Sequence, residues 1–252
     1  MAANHGEDTR AFHGPYDEGT HAMVRFRRAL VALAGSVLAA VSGGGIAGAA
    51  PAPAVLGGGS GIVVASEPCS LTMIGYDGGG RLVGLTAGHC THAGAPVRAE
   101  RSPETGVLGT VVFSDRGQGL DYAVIEFAPG RVNAVRTVGA TTIAGIGTAP
   151  GFGATVCADG RSSGFDCGMV WGSVDGRVYN QSCSIPGDSG GPVTVGDRLV
   201  GMNQGHLKPW GIDLPCVSAA FPLYGPAYFR PITEILHALD VAGGIGAGLR
   251  PV

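Results

Sequence analysis

Beyond Pro53 the apolar residues of this 252-residue chain come in short runs, each cut off by glycine or by a polar turn, and that pattern favours strands over helices. "GIVVAS", "SLTMIGYD", "RLVGLTA", "VLGTVVFS" and "DYAVIEFA" follow one another, with "GGG", "HAGAP" and "RGQG" among the segments between them. A second set, "ATVCA", "CGMVWGSV", "RVYNQS", "PVTVG", "RLVGMNQ" and "CVSAAFP", comes after a weakly patterned, glycine-rich stretch from about 133 to 153. That stretch reads as a connection between two halves, and the run lengths predict an all-β, barrel-like architecture. The one helical signal is "PITEILHALDVAGG", where Pro231 opens the segment, Ile232, Ile235, Leu236 and Leu239 recur at helical spacing, and Gly243 and Gly244 follow its end. The trailing "GIGAGLRPV" reads as a loose tail.

The first fifty residues differ from the rest. A polar opening leads to Arg25, Arg27 and Arg28, then to "ALVALAGSVLAAVSGGGIAGAAPAPAV", an apolar region of about 13 residues followed by small residues at Ala47, Ala49 and Ala50. This is the pattern of a secretory signal with cleavage expected near Ala50, so the expected location is extracellular or in the cell envelope. Membrane contact is expected only through an uncleaved signal. Six cysteines lie beyond that point: Cys69, Cys90, Cys157, Cys167, Cys183 and Cys216. An even count in an exported chain implies disulfides, and no close zinc-ligand spacing occurs. Sequence order alone suggests 69–90, 157–167 and 183–216, with other pairings open. Only 14% of residues are charged and the net charge is -3, which leaves no basic field for nucleic acid.

Three short motifs carry the chemistry. Amide hydrolysis by a serine needs a histidine to take the hydroxyl proton, a carboxylate to orient that histidine, and backbone N–H groups aimed at the developing oxyanion. "GDSGGP" (187–192) supplies Ser189 as nucleophile, with the Gly187 and Ser189 N–H groups as donors. Read by itself in a chain with 46 glycines, it is also an ordinary polar turn. "LTAGHC" (85–90) ends an apolar strand in a turn that presents His89, pinned by Cys90. "LDYAVIEF" puts Asp121 at the start of a buried strand, where a carboxylate needs a partner such as an imidazole N–H. The competing Asp115, in polar "FSDRG", is expected to be solvent-exposed.

In the order His, Asp, Ser, "TAGHC", "DYAVIEF" and "GDSGGP" resemble the trypsin/chymotrypsin-like serine proteases, and more closely the short secreted actinobacterial members similar to the α-lytic and streptogrisin enzymes. The resemblance covers about 57 to 239. It implies two six-stranded antiparallel β-barrels with the active site in the cleft between them and a short C-terminal helix. The barrels would occupy about 57–132 and, with the helix, about 154–242 of a 51–252 protease domain. It also implies His89 as general base and acid, Asp121 as orienting carboxylate, Ser189 as nucleophile, and Gly187 and Ser189 as oxyanion donors. All three suggested cysteine pairs fall where those enzymes form disulfides. The implied protein is a monomeric endopeptidase acting on polypeptides without metal or cofactor.

The departures from the family are as informative. No "IVGG" start is evident to pair with Asp188, so Asp188 needs an internal cation, and Arg161 is the candidate. The interval from Ala50 to Gly57 is too short for the pro-segment its relatives usually carry. In the substrate-binding strand, "MNQGH" supplies Asn203, Gln204, Gly205 and His206: Asn203 replaces a serine that normally supports the triad aspartate, and Gln204 stands where glycine is common and intrudes on docking. Cys183, six residues before Ser189, is not an acid, so Ser184, Asn203, His206 and the disulfide imply a neutral primary pocket for small or apolar residues. A weak role for His206 toward acidic residues also follows. The alternative is a catalytically weak protease-fold binding protein of the cell envelope or extracellular space, and a small esterase is the chemical variant. "NQS" at Asn180 matches a glycosylation sequon.

Overall fold

A computed structural model describes residues 52–252 apart from 219, 220 and 222. The signal reading on 1–50 and the cleavage near Ala50 lie outside the described residues.

The N-terminal sheet has eight strands in the order Arg250–Pro251, Met73–Tyr76, Leu82–Ala87, Tyr122–Phe127, Val107–Ser114, Pro96–Ala99, Gly61–Val64 and Glu67–Ser70. The C-terminal sheet runs Gly145–Ile146, Arg198–His206, Pro192–Val195, Thr155–Gly160, Gly164–Val174, Arg177–Asn180 and Ala227–Pro231. Its last strand also pairs with Arg198–His206, so six strands close into a barrel. The N-terminal sheet curls as a half-barrel: the chain leaving Glu67–Ser70 turns toward the other sheet, where the Ser70 N–H donates to the Ser189 carbonyl at 2.9 Å instead of extending a ladder. Closed barrels abolish edges, and among the described residues the C-terminal one closes by strand pairing while the N-terminal one does not.

Apolar runs such as Leu82–Ala87 and Tyr122–Phe127 are buried on both faces, whereas Gly164–Val174 alternates and leaves Met169 and Trp171 exposed. Val83, Leu85, Val124 and Ile125 are fully buried under the first sheet, while Val156, Val170, Val193 and Phe229 fill the second. The helix spans Ile232–Ala242 and buries Ile232, Ile235 and Leu239. All three cysteine pairs, 69–90, 157–167 and 183–216, are disulfide-bonded.

Three sequence expectations are corrected. The run "CVSAAFP" forms no strand among its described residues: Cys216 is tied to Cys183, Val217 is 91% exposed, and the last barrel strand is Ala227–Pro231 instead. The tail is docked rather than loose, because Leu249 is buried, Arg250–Pro251 pairs with Gly75–Tyr76, and the buried Asp77 carboxylate takes the Gly246 N–H at 3.1 Å. Asn180 is only 1% exposed and its Oδ1 accepts the Ser182 N–H and hydroxyl, which closes the sequon to modification of the folded chain. The stretch 133–153 contains the hairpin Thr137–Val138/Thr141–Thr142 and most of a strand, Val132–Ala134, that pairs in parallel with Ala54–Leu56.

Candidate active site

The strand Leu82–Ala87 ends in the single turn Gly88–Cys90, and the Cys69–Cys90 disulfide anchors that turn to the sheet edge. His89 is thereby held at the rim, with its side chain 40% exposed. Ser189 sits within the strand-free loop 181–191 of the other sheet. His89 Nε2 lies 2.8 Å from Ser189 Oγ and His89 Nδ1 lies 2.8 Å from Asp121 Oδ2. Asp121 Oδ1 also accepts the His89 backbone N–H at 2.8 Å, so one carboxylate fixes both the ring and the main chain of the same residue. The Asp121 hydrogen bond is the leading cause that raises the His89 pKa; burial opposes it, and the charges of Asp121 and Asp115 add to the rise.

Asp121 adopts a left-handed φ of +57°, a conformation that Asn and Asp tolerate better than most residues. What holds it there is Asp115, whose Oδ2 accepts the Asp121 N–H at 2.7 Å and whose Oδ1 accepts those of Tyr122 and Gly117 at 3.1 Å. Asp115 is therefore half-buried bracing, which corrects the expectation of a solvent-exposed turn residue, and burial raises its pKa. An Asp opening a glycine turn, as in "SDRGQG", is the sequence signal for such side-chain-to-backbone bracing.

The loop of Ser189 is built on its own aspartate. Asp188 Oδ1 accepts the N–H groups of Ser162 and Ser163 at 2.8 and 3.0 Å, and Oδ2 accepts that of Ile185 at 2.9 Å. Arg161, the expected cation for Asp188, instead donates through Nε to Glu100 Oε2 at 2.7 Å and through a second nitrogen to Oε1. Backbone amides thus hold the buried Asp188, and Arg161 ties the two sheets together. Glu100 is held below its ordinary carboxylate range by the Arg161 hydrogen bonds. Gly190, at φ +84°, passes so close to Thr86 and to the Ser70 carbonyl that any Cβ would overlap them. The Gly187 and Ser189 N–H groups have no acceptor among the described residues, and both are free to donate to a ligand oxygen.

The strand Arg198–His206, expected to bind substrate, differs from expectation at three residues. Gln204 does not stand in the cleft: it is 3% exposed, and its Nε2 donates to the carbonyls of Leu120 at 2.6 Å and Asp121 at 3.2 Å. Nor does Asn203 reach Asp121; its Nδ2 bonds Ser184 Oγ at 2.9 Å and the Asp188 carbonyl at 3.1 Å. The amide that spans to the aspartate loop is thus one residue further along, and it acts on main chain rather than on the carboxylate. The register shift between Asn203 and Gly205 produces this offset, which no spacing in the sequence announces. Gly205 lies beside the Tyr228 hydroxyl, and His206 Nε2 is taken by Asp213 at 2.8 Å, which leaves that nitrogen unavailable to an acidic substrate residue.

No family model matches the chain. Serine protease 2 of Streptomyces fradiae is 32% identical over 153 residues, spanning 54% of this chain and 86% of that protein. Streptogrisin-C of Streptomyces griseus is 28% identical over 163 residues, and the chain spans only about a third of its length, with the match covering 61% of this chain. Among solved structures, Thermobifida fusca Protease A superposes with a TM-score of 0.59 at 26% identity, covering 73% of this chain and 96% of that one.

Proposed function

We propose that this chain, which belongs to the actinobacterial trypsin/chymotrypsin-like serine proteases, is a secreted endopeptidase that uses His89, Asp121 and Ser189 as its catalytic triad. The observation that carries the reading is the unbroken line from Asp121 Oδ2 through His89 to Ser189 Oγ, with 2.8 Å at each link. Ser189 Oγ attacks the scissile carbonyl carbon while its proton passes to His89 Nε2, and the carbonyl electrons move onto the oxygen, which the Gly187 and Ser189 N–H groups stabilise. Collapse of that intermediate breaks the C–N bond, and the same imidazolium gives its proton to the leaving amine. Water then repeats the sequence on the acyl-enzyme. Asp121 stays ionised throughout and offsets the charge that builds on His89.

Support for export comes from the signal pattern before Ala50 and from the three disulfides, which persist in oxidising surroundings. Support for small or apolar primary specificity comes from the residues flanking the expected pocket. Asn203 Nδ2 donates to Ser184 Oγ there, neither side chain carries a charge, and the Cys183–Cys216 disulfide adds a neutral surface. With Gln204 folded inward, one of the features that motivated a catalytically weak binding protein no longer favours it.

A fluorophosphonate is expected to label the purified, disulfide-bonded protein at Ser189 and to leave Ser189→Ala unlabelled. In a peptide library, cleavage is expected after small or apolar residues, and a preference for Arg or Lys would overturn the pocket assignment. The pH profile gives an independent check. Only neutral His89 accepts the serine proton, so activity falls as pH drops through its pKa. Because the Asp121 bond raises that value, the acid limb of kcat/KM is expected above the ordinary imidazole value of 6.5. An acid limb below that value would contradict the Asp121–His89 coupling.

A further inference from the structure

We propose that Ser162 is a positioning residue that holds the Pro186–Gly187 peptide with its N–H turned toward the oxyanion, and that the Glu100–Arg161 ion pair keeps Ser162 in place. The inference rests on the endopeptidase reading above and concerns how one of its two oxyanion donors is aimed.

The Ser162 hydroxyl donates to the Pro186 carbonyl at 2.8 Å and accepts from Arg161 Nη1 at 2.8 Å. In a trans peptide the carbonyl and the following N–H point in opposite directions, so fixing the Pro186 oxygen fixes where the Gly187 N–H points. The next peptide is clamped as well: Ser70 Oγ donates to the Gly187 carbonyl at 2.9 Å and itself accepts the Arg161 backbone N–H at 3.0 Å. Both clamps on Gly187 therefore run through one short segment, 161–162. The guanidinium is aimed by its two-pronged bond to Glu100, which comes from the other sheet.

Such restraint is needed at this residue. Gly187 sits at φ +100°, and a Cβ there would lie 2.3 Å from Ser162 Oγ and 2.7 Å from Arg161 Nη1, so the site admits only glycine. Glycine is also the residue whose flanking peptides rotate most freely. Without Ser162 the 186–187 peptide is free to turn over, which would present the Pro186 carbonyl oxygen to the oxyanion in place of a donor. Loss of one oxyanion donor costs on the order of 10²–10³ in kcat. The Ser162 backbone N–H separately holds Asp188, so removing only the hydroxyl leaves the Asp188 loop in place.

The test compares native protein, Ser162→Ala, Ser162→Thr and Glu100→Gln on a peptide p-nitroanilide, with active sites counted by fluorophosphonate titration. Ser162→Ala is expected to lower kcat by about ten- to a hundredfold while KM stays within about twofold, because the lost interaction forms fully only in the transition state. A peptidyl boronate, whose tetrahedral adduct places an oxygen at the oxyanion position, is expected to lose affinity in the same proportion, and the product peptide acid to lose none. Ser162→Thr, which keeps the hydroxyl, is expected to restore most of kcat. Glu100→Gln is expected to give a smaller fall in kcat and provides the same readout should Ser162→Ala fold poorly. Native kcat and boronate affinity in Ser162→Ala, or a loss confined to KM, overturns the clamp and leaves the endopeptidase reading standing. Absence of Ser189 labelling in the native protein overturns both.

Discussion

In a Ser189→Ala protein kcat for a peptide substrate is expected to fall about 10⁶-fold, with KM nearly unchanged. The size follows from what the substitution removes and what it leaves. It deletes the hydroxyl placed 2.8 Å from His89 Nε2, and with it the route through an acyl-enzyme. It leaves the backbone N–H groups at positions 187 and 189 and the substrate strand, so binding and part of the electrostatic stabilisation persist, and a residual rate above the uncatalysed one is expected. Apart from the hydroxyl's bond to His89, Ser189 bonds the rest of the chain through its main chain, its carbonyl accepting the Ser70 N–H, so the fold should not register the change. Steady-state kinetics on protein with the native melting temperature decides the matter. A loss of less than about a thousandfold would mean that another nucleophile works in the cleft.

Asp121→Asn is expected to cost about 10⁴-fold in kcat at neutral pH. Asparagine keeps the shape of aspartate and tolerates the left-handed φ of +57°, so the loop braced by Asp115 is retained. The hydrogen bonding is not retained. Asp121 now accepts twice from His89, at Nδ1 and at the backbone N–H. An asparagine still accepts the backbone N–H through its oxygen, which turns its NH₂ toward Nδ1. The imidazole must then carry its proton on Nε2, facing Ser189, and a ring that donates to the serine cannot accept from it. The negative charge that raises the His89 pKa is also gone, so the acid limb of the remaining activity should move to lower pH. A loss without that shift would point to misfolding rather than to the tautomer, and unchanged activity would remove Asp121 from the triad.

The parts of this site that could be read in the sequence are those that chemistry writes locally. A serine set among glycines, a histidine beside a cysteine and a carboxylate opening a buried strand each carry their reason within five or six residues. The same locality made the helix at Ile232–Ala242 and the strands around Leu85 and Val124 legible, because periodicity is a property of neighbours. Contacts made across the fold were not legible. Even within one loop, the glycine turn after Asp115 announces its bond to Gly117 but not those to Asp121 and Tyr122, which form only once the loop folds back on the next strand. The tail 244–252 looked loose because its partners, Asp77 and the Met73–Tyr76 strand, lie about 170 residues earlier in the chain.

Composition, run length and motif order by themselves determined an all-β chain with three disulfides and a serine, a histidine and an aspartate of matched chemistry, since each depends on residue type and short spacing. The tertiary structure alone decided which side chains serve those three. It gave Asp188 to backbone amides instead of Arg161, turned Gln204 from the cleft onto the carbonyls of Leu120 and Asp121, and put Ser162 behind the oxyanion loop. The reason is physical: a buried polar group bonds to whatever the packing brings within about 3 Å, and that partner is set by how two sheets meet, not by distance along the chain.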